Sequence, residues 1–397
     1  MAFTPGGPVP WTVPPDWARP VRESLGWGTN TLRANTTGAS FHASLRETPA
    51  RAFEFEVFDE GLPWRFADAL LHSASGQAML LPVWPDLQLV GPLTSGLGSI
   101  ACATDGYDFT DDGLVLLWGG VNTWEVLEVA TVDPGALVLA SPTSQAWPRG
   151  TRLYPLRRGR VRNGLQETVR ADDKGRRTVR FEVREPCAWP AAMPVATYLG
   201  HPVLEWRPDD GADEGGSYNR LMAEVSNGLG DPVEFDLAGV QLRGSSMGWQ
   251  LWGRADQSAA RSRLYAMRGG AVPVWVPSWK QDLRLAAPIG GASTTMTVEW
   301  TGYAALGALQ PNRRDLRIEL RDGTVLYRRI TGVADAGATE SLFLDAPLGL
   351  AVAPGQVRAI SYLTLSVGPD SQEIAHYTDA DGHAQVSLSF SAVVPDV

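Results

Sequence analysis

Cysteine and lysine are scarce in this sequence. Cys102 and Cys187 are the only cysteines in 397 residues, too few for a disulfide framework, a cysteine-based zinc site or an iron–sulfur cluster, which needs four ligands. We expect two free buried thiols and a protein that needs no oxidising compartment. Lysine occurs only at Lys174 and Lys280, and the formal net charge is −10. That charge argues against an outer surface built to bind nucleic acid.

Long apolar stretches are also missing. No run approaches the roughly 18 residues that a membrane-spanning helix requires. The first residues have neither the basic nor the apolar region of a signal peptide. The sequence therefore predicts no membrane segment and no secretory leader.

Motifs of catalysis or metal binding are not found. None of the five histidines pairs with another at a zinc-binding spacing, and there is no Gly-x-Ser-x-Gly elbow or phosphate loop. The stretch Thr378–Gly382, between His376 and His383, resembles a calcium loop but lacks its closing glutamate, so a hairpin turn explains it better. The acidic pairs are typical of solvated turns; they are Asp111-Asp112, Asp172-Asp173 and Asp209-Asp210. We predict no catalytic residue, no metal and no cofactor, and hence no enzyme.

Tryptophan is abundant, with 15 Trp against 9 Tyr. Residues 1–45 are rich in Pro and Gly and carry Trp11, Trp17 and Trp27. Such a segment is typical of an extended arm, and three tryptophans represent a large apolar area to leave in water. We expect the arm to pack on a neighbouring subunit or on its own domain, and residues 1–40 to be ordered mainly by contacts with another chain.

The chain repeats itself at long range. Met79–Leu93 resembles the stretch that follows Ala271, and Val83-Trp84 aligns with Val274-Trp275 as a repeat signature. Further matches follow in the same order: Leu137–Pro142 with Leu342–Pro347, and Asp173–Phe181 with Asp381–Phe390. The separation between the copies only grows along the chain, as insertions into two diverged copies would cause. The alternative is chance likeness between alternating strands with Pro and Asp turns.

Periodicity predicts a mainly β fold with two duplicated barrel or sandwich domains, each with one helix, plus the extended Pro/Trp-rich N-terminal arm. The helices are expected at Trp64–Ser73 and Asp256–Met267, the second capped by Asp256. The predicted domains are the arm at 1–45, a first β-domain at 46–185, and a second at 247–397. Residues 186–246 fall outside the doubled pattern and are expected to connect the domains or to form an insertion.

One stretch resembles a known family. Glu47–Phe58, the helix that ends before Gly76, and Leu81–Asp86 are similar to the distal tail and minor tail-tip proteins of long-tailed, siphovirus-type bacteriophages. The likeness covers residues 45–95 and returns in more diverged form at Trp249–Pro277. It implies tail-tube-like domains and a structural protein of the tail tip or baseplate. Such a protein forms a ring that joins the tail tube to the distal hub and leaves a channel for DNA.

The resemblance also implies partners. These are other copies of the chain, the tail tube protein, the tail hub and other tip proteins, and the tape measure protein, with DNA only in transit. Two domains per chain favour a trimer with pseudo-six-fold symmetry over a hexamer. The protein would be made in the cytoplasm of the bacterial host and reside in the virion. Acidic channel walls repel phosphate, and the candidates for such a wall are Glu54, Glu56, Asp59 and Glu60; an ordinary solvated face is the alternative.

A second function class stays open. A carbohydrate-binding module or adhesin could use surface tryptophans as stacking platforms. The candidates are Trp84, Trp118, Trp124, Trp275 and Trp279. Tryptophan within β-strands belongs more often to the core, so exposure of these rings distinguishes the two interpretations.

Overall fold

The computed structural model describes residues 8–394, except 35–38, 75, 163–164, 210–213, 227 and 229. The protein is mainly β, as the sequence predicts. Its α-helices in these residues are α1 (Leu62–Ala74) and α2 (Gly253–Met267). Short helical turns occur at Trp84–Asp86, Tyr303–Gly307 and Pro354–Gln356.

The strands fall into two runs along the chain. The first run is β1 (Val9–Pro10), β2 (Val21–Gly26), β3 (Thr29–Arg33), β4 (Ser40–Ser44), β5 (Ala50–Glu60), β6 (Met79–Pro82), β7 (Gln88–Val90), β8 (Ser99–Ala101), β9 (Leu114–Gly120), β10 (Thr123–Asp133), β11 (Ala136–Leu139), β12 (Thr151–Val161), β13 (Gln166–Ala171) and β14 (Lys174–Val183). The second run is β15 (Thr197–Tyr198), β16 (His201–Pro202), β17 (Gly215–Val225), β18 (Val233–Trp252), β19 (Val274–Pro277), β20 (Thr295–Glu299), β21 (Asp315–Leu320), β22 (Val325–Asp335), β23 (Thr339–Leu344), β24 (Val357–Val367), β25 (Ser371–His376) and β26 (His383–Ala392).

The first run forms a unit around its longest strands. β14 lies antiparallel to β5 and also pairs with β13. β12 pairs with the end of β14 and, further along its length, with β6, β7 and β9. β9, β10, β11 and β8 then follow one another as paired neighbours. We call this the first unit.

The second run is paired in the same order. β26 lies on β18 and pairs with β25, and β24 joins the end of β26 to β19 and β21. β21, β22, β23 and β20 then follow as neighbours. Even a bulge recurs, between Val129 and Thr131 in one unit and between Ile330 and Gly332 in the other. We call this the second unit.

Each unit places a helix directly after a long strand: α1 follows β5, and α2 follows β18. A left-handed glycine makes the turn from strand to helix, with φ of 65° at Gly61 and 77° at Gly253. Both predicted helices lie within the observed ones. Asp256 does not occupy the N-cap position; its carboxylate accepts a hydrogen bond from the N–H of Trp252 at 3.2 Å. A side chain in the first turn thus satisfies a donor that the helix itself leaves free.

The pairing differs from the expected domain boundaries. Residues 186–246 were expected outside the doubled pattern, but this stretch supplies β17, which pairs with β18 as β2 pairs with β5. The predicted arm likewise supplies β2 to the first unit. Each unit therefore includes the residues that precede its long strand. Sequence comparison missed this because the two preceding stretches share a pairing pattern and few residue types.

The residues that the sequence comparison aligned as a repeat signature do not occupy equivalent places in the two units. β6 pairs with β12 so that Met79 faces Gly159, and β19 pairs with β24 so that Val274 faces Ser366. Met79–Pro82 therefore occupies the place of Val274–Pro277. Val83 and Trp84, expected to match Val274 and Trp275, instead follow the strand as a helical turn. Each short apolar strand ends in proline, and the sequence match aligned Pro82 with Pro273, which precedes the second strand.

Each unit has two large cores, and the second unit has a smaller third one around Trp275. In the first unit, one core lies between the long strands and α1, and it includes Phe53, Leu70 and Phe181. The other fills the space among β8 to β12. The second unit repeats this division, with Leu264 of α2 and Phe390 in one core, and the interior of β20 to β24 in the other.

Candidate functional site

One strand joins the two units. β2 pairs along one edge with β5 of the first unit, where Ser24 faces Ala52. Along its other edge it pairs with β25 of the second unit, where Ser24 faces Glu373. The sheet is therefore continuous in the order β18, β26, β25, β2, β5, β14. We call β2 and its two neighbours the junction.

A buried carboxylate lies at the centre of the junction. Glu23 of β2 is fully buried. Its Oε1 accepts a hydrogen bond from Nε of Arg51 at 2.8 Å, and its Oε2 accepts one from a guanidinium nitrogen of Arg261 at 2.8 Å. Nε2 of His376 lies 3.0 Å from the same Oε2. Glu23 thus binds one side chain of the first unit and two of the second.

A second carboxylate extends the network. Asp108, in the loop between β8 and β9, forms ion pairs with Arg51 and Arg157, and Nε of Arg157 lies 2.9 Å from it. The backbone N–H of Asp108 donates to Asp86 at 2.8 Å, and Asp86 accepts from Arg254 of α2 at 2.7 Å. The loops of the first unit therefore bind the helix of the second.

The electrostatics keep the carboxylates of Glu23 and Asp108 ionised despite their burial. Burial alone would raise the pKa of Glu23, but Arg261 and Arg51 outweigh it and hold this pKa well below its usual range. Burial likewise opposes ionisation of Asp108, yet Arg51 and Arg157 lower its pKa to about 2. Burial lowers the pKa of His376, partly countered by Glu23. The carboxylates and arginines neutralise one another away from solvent, so this network of ion pairs holds the two units together.

The four acidic residues proposed for a channel wall do not form a single surface. Glu54, Glu56 and Glu60 lie on the solvent side of β5. Cations of β14 oppose them: Arg180 at 3.3 Å, Arg176 at 3.9 Å and Lys174 at 3.9 Å, respectively. Asp59 points to the other face of the strand, where burial raises its pKa to about 6 despite Arg177. This face is of mixed charge, contrary to the expected acidic wall, because the basic strand β14 pairs with β5 and places its cations beside these carboxylates.

The same face of the second unit is nearly neutral. The solvent-facing residues of β26 in the middle of the sheet are Ser387, Ser389 and Ser391. The outward face of the joined sheet is thus mostly polar, with Phe58 and Trp252 as exposed aromatic exceptions, while α1 and α2 cover the opposite face.

The tryptophans of the predicted arm lie within the chain's own cores. Trp11 is fully buried in the first unit, and Trp17 packs against the same core. Trp27 is buried in the core of the second unit, edge-on to Tyr265 with 5.4 Å between the ring centroids. The expectation that residues 1–40 are ordered mainly by another chain therefore fails for these rings, because their apolar area is already buried by the units that β2 joins. Residues 1–7 lie outside the described part.

The proposed carbohydrate platforms are covered. Trp84, Trp124 and Trp275 are buried. Arginine guanidinium groups lie over the two half-buried rings, Arg152 over Trp118 at 5.3 Å and Arg317 over Trp279 at 4.8 Å.

A more exposed aromatic group was missed from the sequence. Trp252 is 67% exposed and stacks on His383 with 4.5 Å between the ring centroids. Tyr377 stacks on the other side of His383 at 4.9 Å. Only the strand pairing brings these residues together, since Trp252 faces His383 across β18 and β26.

Signs of catalytic or metal chemistry are few. Within the described ranges, no group of His, Cys, Asp and Glu side chains is placed to hold a metal ion. Asp111-Asp112 and Asp172-Asp173 lie in turns, whereas Asp210 falls outside these ranges. No helix in the described part of the chain is long and apolar enough to cross a membrane.

Comparison with known proteins adds no relative: no protein-family model matches the chain, and no curated protein sequence matches it.

Proposed function

We propose that this chain is a structural, non-enzymatic component of a bacteriophage tail tip or baseplate. It forms a ring that joins the tail tube to the distal hub and leaves a channel for DNA. Its partners are further copies of itself, the tail tube protein, the hub and other tip proteins, and the tape measure protein. It is made in the host cytoplasm and resides in the virion.

One observation carries this proposal. The two units share their order of strand pairing, and β2 fuses them into one sheet with a polar outer face and helices on the other. We interpret the units as two copies of one tail-tube-like domain. Two equivalent units side by side in one sheet form a segment that, repeated head to tail, closes into a ring when the rotation between copies permits.

A trimer fits this arrangement better than a hexamer. Three chains offer six similar units, which suits a six-fold tube on one side and a three-fold hub on the other. The polar outer face of the sheet then lines the channel. Its arginines attract phosphate, but the neighbouring carboxylates weaken that attraction, and the serines of β26 add no charge.

The test is the stoichiometry and tube binding of the purified protein. Native mass spectrometry should give three chains, and electron microscopy should show rings with six similar lobes. Rings mixed with assembled tail tube protein should bind tube ends and leave the sides bare. Six chains per ring would exclude the trimer, and a protein that neither forms rings nor binds tubes would refute the proposed function.

A carbohydrate-binding module or adhesin remains the second candidate, supported by the exposed stack of Trp252, His383 and Tyr377. Flat aromatic faces bind sugar rings by stacking. If this function is correct, the monomer should bind glycans on an array, and Trp252→Ala should abolish that binding. Trp300→Ala, at another exposed ring, serves as the control.

A further inference from the structure

The first half of β17, Gly215–Asn219, occupies in the second unit the position that β2 occupies in the first. Within the first unit, residues Arg22–Gly26 pair with Ala50–Glu54. Within the second, Gly215–Asn219 pair with Leu242–Ser246. The stretches before them also correspond: the N–H of Trp11 donates to O of Leu80 at 2.8 Å, and that of Leu204 donates to O of Trp275 at 2.9 Å.

β13 in turn holds the place of β25. β25 is the strand before β26 and pairs with it, and β13 stands before β14 in the same way. The second edge of β25 receives β2. Among the residues that the structure describes, no strand lies against the second edge of β13, nor against the second edge of β17 at Gly215–Asn219.

We propose that these two edges bind each other between copies of this chain. β17 of one copy pairs antiparallel with β13 of the next and repeats the joint that β2 makes with β25. Transferring the register of that joint places Ser217 opposite Gln166, as Ser24 lies opposite Glu373. It places Tyr218 opposite Leu165, as Leu25 lies opposite Gln372. The inference rests on the proposed function, because it specifies how the ring is held together.

Exposed apolar side chains mark both edges. Tyr218 on β17 is 67% exposed and Val169 on β13 is 57% exposed. The residues in their places at the junction, Leu25 and His376, are buried. Edge strands with uncovered apolar side chains are templates for pairing with another chain.

The helices show the same asymmetry. α2 buries residues on two sides, because Arg261 and Tyr265 face the junction while Leu264 faces its own sheet. α1 buries a single side, and Leu62 at its start remains 52% exposed. Pairing of β13 with a second copy would cover the free side of α1, as the junction covers α2.

The charges fit as well. Arg243 lies opposite Tyr218 on β18, the place that Arg51 takes opposite Leu25 on β5. It lines a cleft of about 240 Å³ with Tyr218 and Leu306, and its Nε is buried with no hydrogen-bond partner among the described residues. Gly216 stands where β2 has Glu23 and leaves the space between the strands open. In the proposed register, Glu167 of the second copy lies opposite Gly216. Its carboxylate accepts a hydrogen bond from Nε of Arg177 at 3.1 Å but stays 45% exposed, so it can also face Arg243.

The positions of the two edges also allow the copies to close into a ring. Each chain carries one β17 edge, on its second unit, and one β13 edge, on its first unit. A contact between different surfaces of identical chains is head-to-tail, and it closes into a ring when the rotation permits.

Paired cysteines test the register. Gln166→Cys with Ser217→Cys, treated with mild oxidant or the short thiol cross-linker dibromobimane, should give covalent multimers up to a closed ring on a denaturing gel. The native thiols interfere little, since Cys187 is buried and burial raises the pKa of Cys102 to about 11. Single-cysteine variants and the out-of-register pair Thr168→Cys with Ser217→Cys should not cross-link. Ser24→Cys with Glu373→Cys should cross-link within one chain and shows that the joint accepts the chemistry.

A second variant tests the surface without cross-linking. Tyr218→Glu should weaken self-association by about tenfold or more and leave the chain folded, as circular dichroism would report. Val195→Glu, at a residue 98% exposed elsewhere on the second unit, should leave association unchanged.

The outcomes separate this inference from the proposed function. In-register cross-links support the edge pairing even if the products are open chains, which would refute the ring. Rings seen by native mass spectrometry without in-register cross-links would overturn the edge pairing and leave the ring standing. A chain that stays monomeric and uncross-linked at the highest attainable concentration would overturn the edge pairing.

Discussion

β2 and β17 begin equivalent hairpins but have opposite surroundings. β2 has a partner on both edges and buries Val21, Glu23 and Leu25. Among the described residues β17 has a partner on one edge only, and almost all of its residues are exposed. The comparison indicates that one strand position can serve either as a joint inside the chain or as an open edge at its end, depending on which side chains it carries.

The difference in side chains explains why β2 forms a stable contact between the two units and β17 does not. Glu23 places a full negative charge where arginines of both units meet, whereas the same position of β17 is Gly216. Taking a carboxylate out of water is costly, and the cost is offset only when its partners are all in place. Such a network tolerates no loss of a member, which suits a joint that forms once during folding. An open edge that assembles between chains is better served by exposed apolar side chains.

Removing the charge at the joint should have the largest effect. Glu23→Gln keeps the size of the side chain but leaves Arg51, Arg261 and their neighbours with an excess of buried positive charge. We expect it to lower the free energy of unfolding by about 4 kcal/mol, measured by denaturant unfolding. The control is Glu373→Gln, which removes an exposed ion pair with Arg22 and should cost less than about 1 kcal/mol. Equal losses in the two variants would mean that the network does not hold the units together.

The anchors ahead of the two strands should behave alike. Trp11 and Leu204 are both fully buried and bind the equivalent short strand of their own unit. Trp11→Ala and Leu204→Ala should each cost about 3 kcal/mol, since both leave a cavity in a packed core. Urea unfolding, with tryptophan fluorescence and proteolysis to report on each unit, would measure this. If the arm were ordered only by contacts with another chain, Trp11→Ala would instead leave the stability of the isolated chain unchanged.

Much of the fold was accessible from the sequence because local patterns encode it. Alternation in β5 predicted its strand correctly, and the apolar spacing of residues 66, 69 and 70 predicted a helix in the right place. The helix nevertheless buries a different stripe, Trp64, Ala67, Leu70 and Ala74, and leaves Ala69 exposed. The matching strands late in each unit were found because Phe181 and Phe390 kept similar neighbours.

The junction was not accessible, because it depends on contacts between distant residues. Glu23, Arg51, Arg261 and His376 are unremarkable singly, and only the sheet brings them together. The alignment of Trp84 with Trp275 was wrong because a second proline, Pro273, lies just before β19 and was matched with Pro82. The acidic residues of β5 looked like a wall because the sequence does not reveal that the basic strand β14 lies beside them.

Acid should weaken the joint in a defined range. The pKa of Asp108 is about 2 in the folded chain and about 3.9 when unfolded. A depressed pKa contributes stability that is present above the unfolded value and lost as the pH falls through the folded value. We expect about 2 kcal/mol from Asp108 to disappear between roughly pH 4 and pH 2. Unfolding free energies measured over this range should fall more steeply for the native chain than for Asp108→Asn, and equal slopes would exclude Asp108 as the titrating group.

The smallest effect should have the opposite sign and should arise far from the joint. Asp59 lies on the inner side of β5, where burial raises its pKa to about 6 and one carboxylate oxygen is buried with no hydrogen-bond partner among the described residues. A raised carboxyl pKa means that the folded state favours the protonated form, so stability is highest below the unfolded value of about 3.9 and falls as the pH rises through the folded value. Asp59→Asn removes that loss. Because Asp59 is only half-buried, water screens the charge, and we expect a gain of about 1 kcal/mol at pH 8. The gain should vanish near pH 4. Glu54→Gln, on the outer face of the same strand, should give no gain at either pH. If Asp59→Asn destabilises the chain at pH 8, the attraction between Asp59 and Arg177 outweighs the burial, and charge stabilises the inner side of β5 as it does the junction.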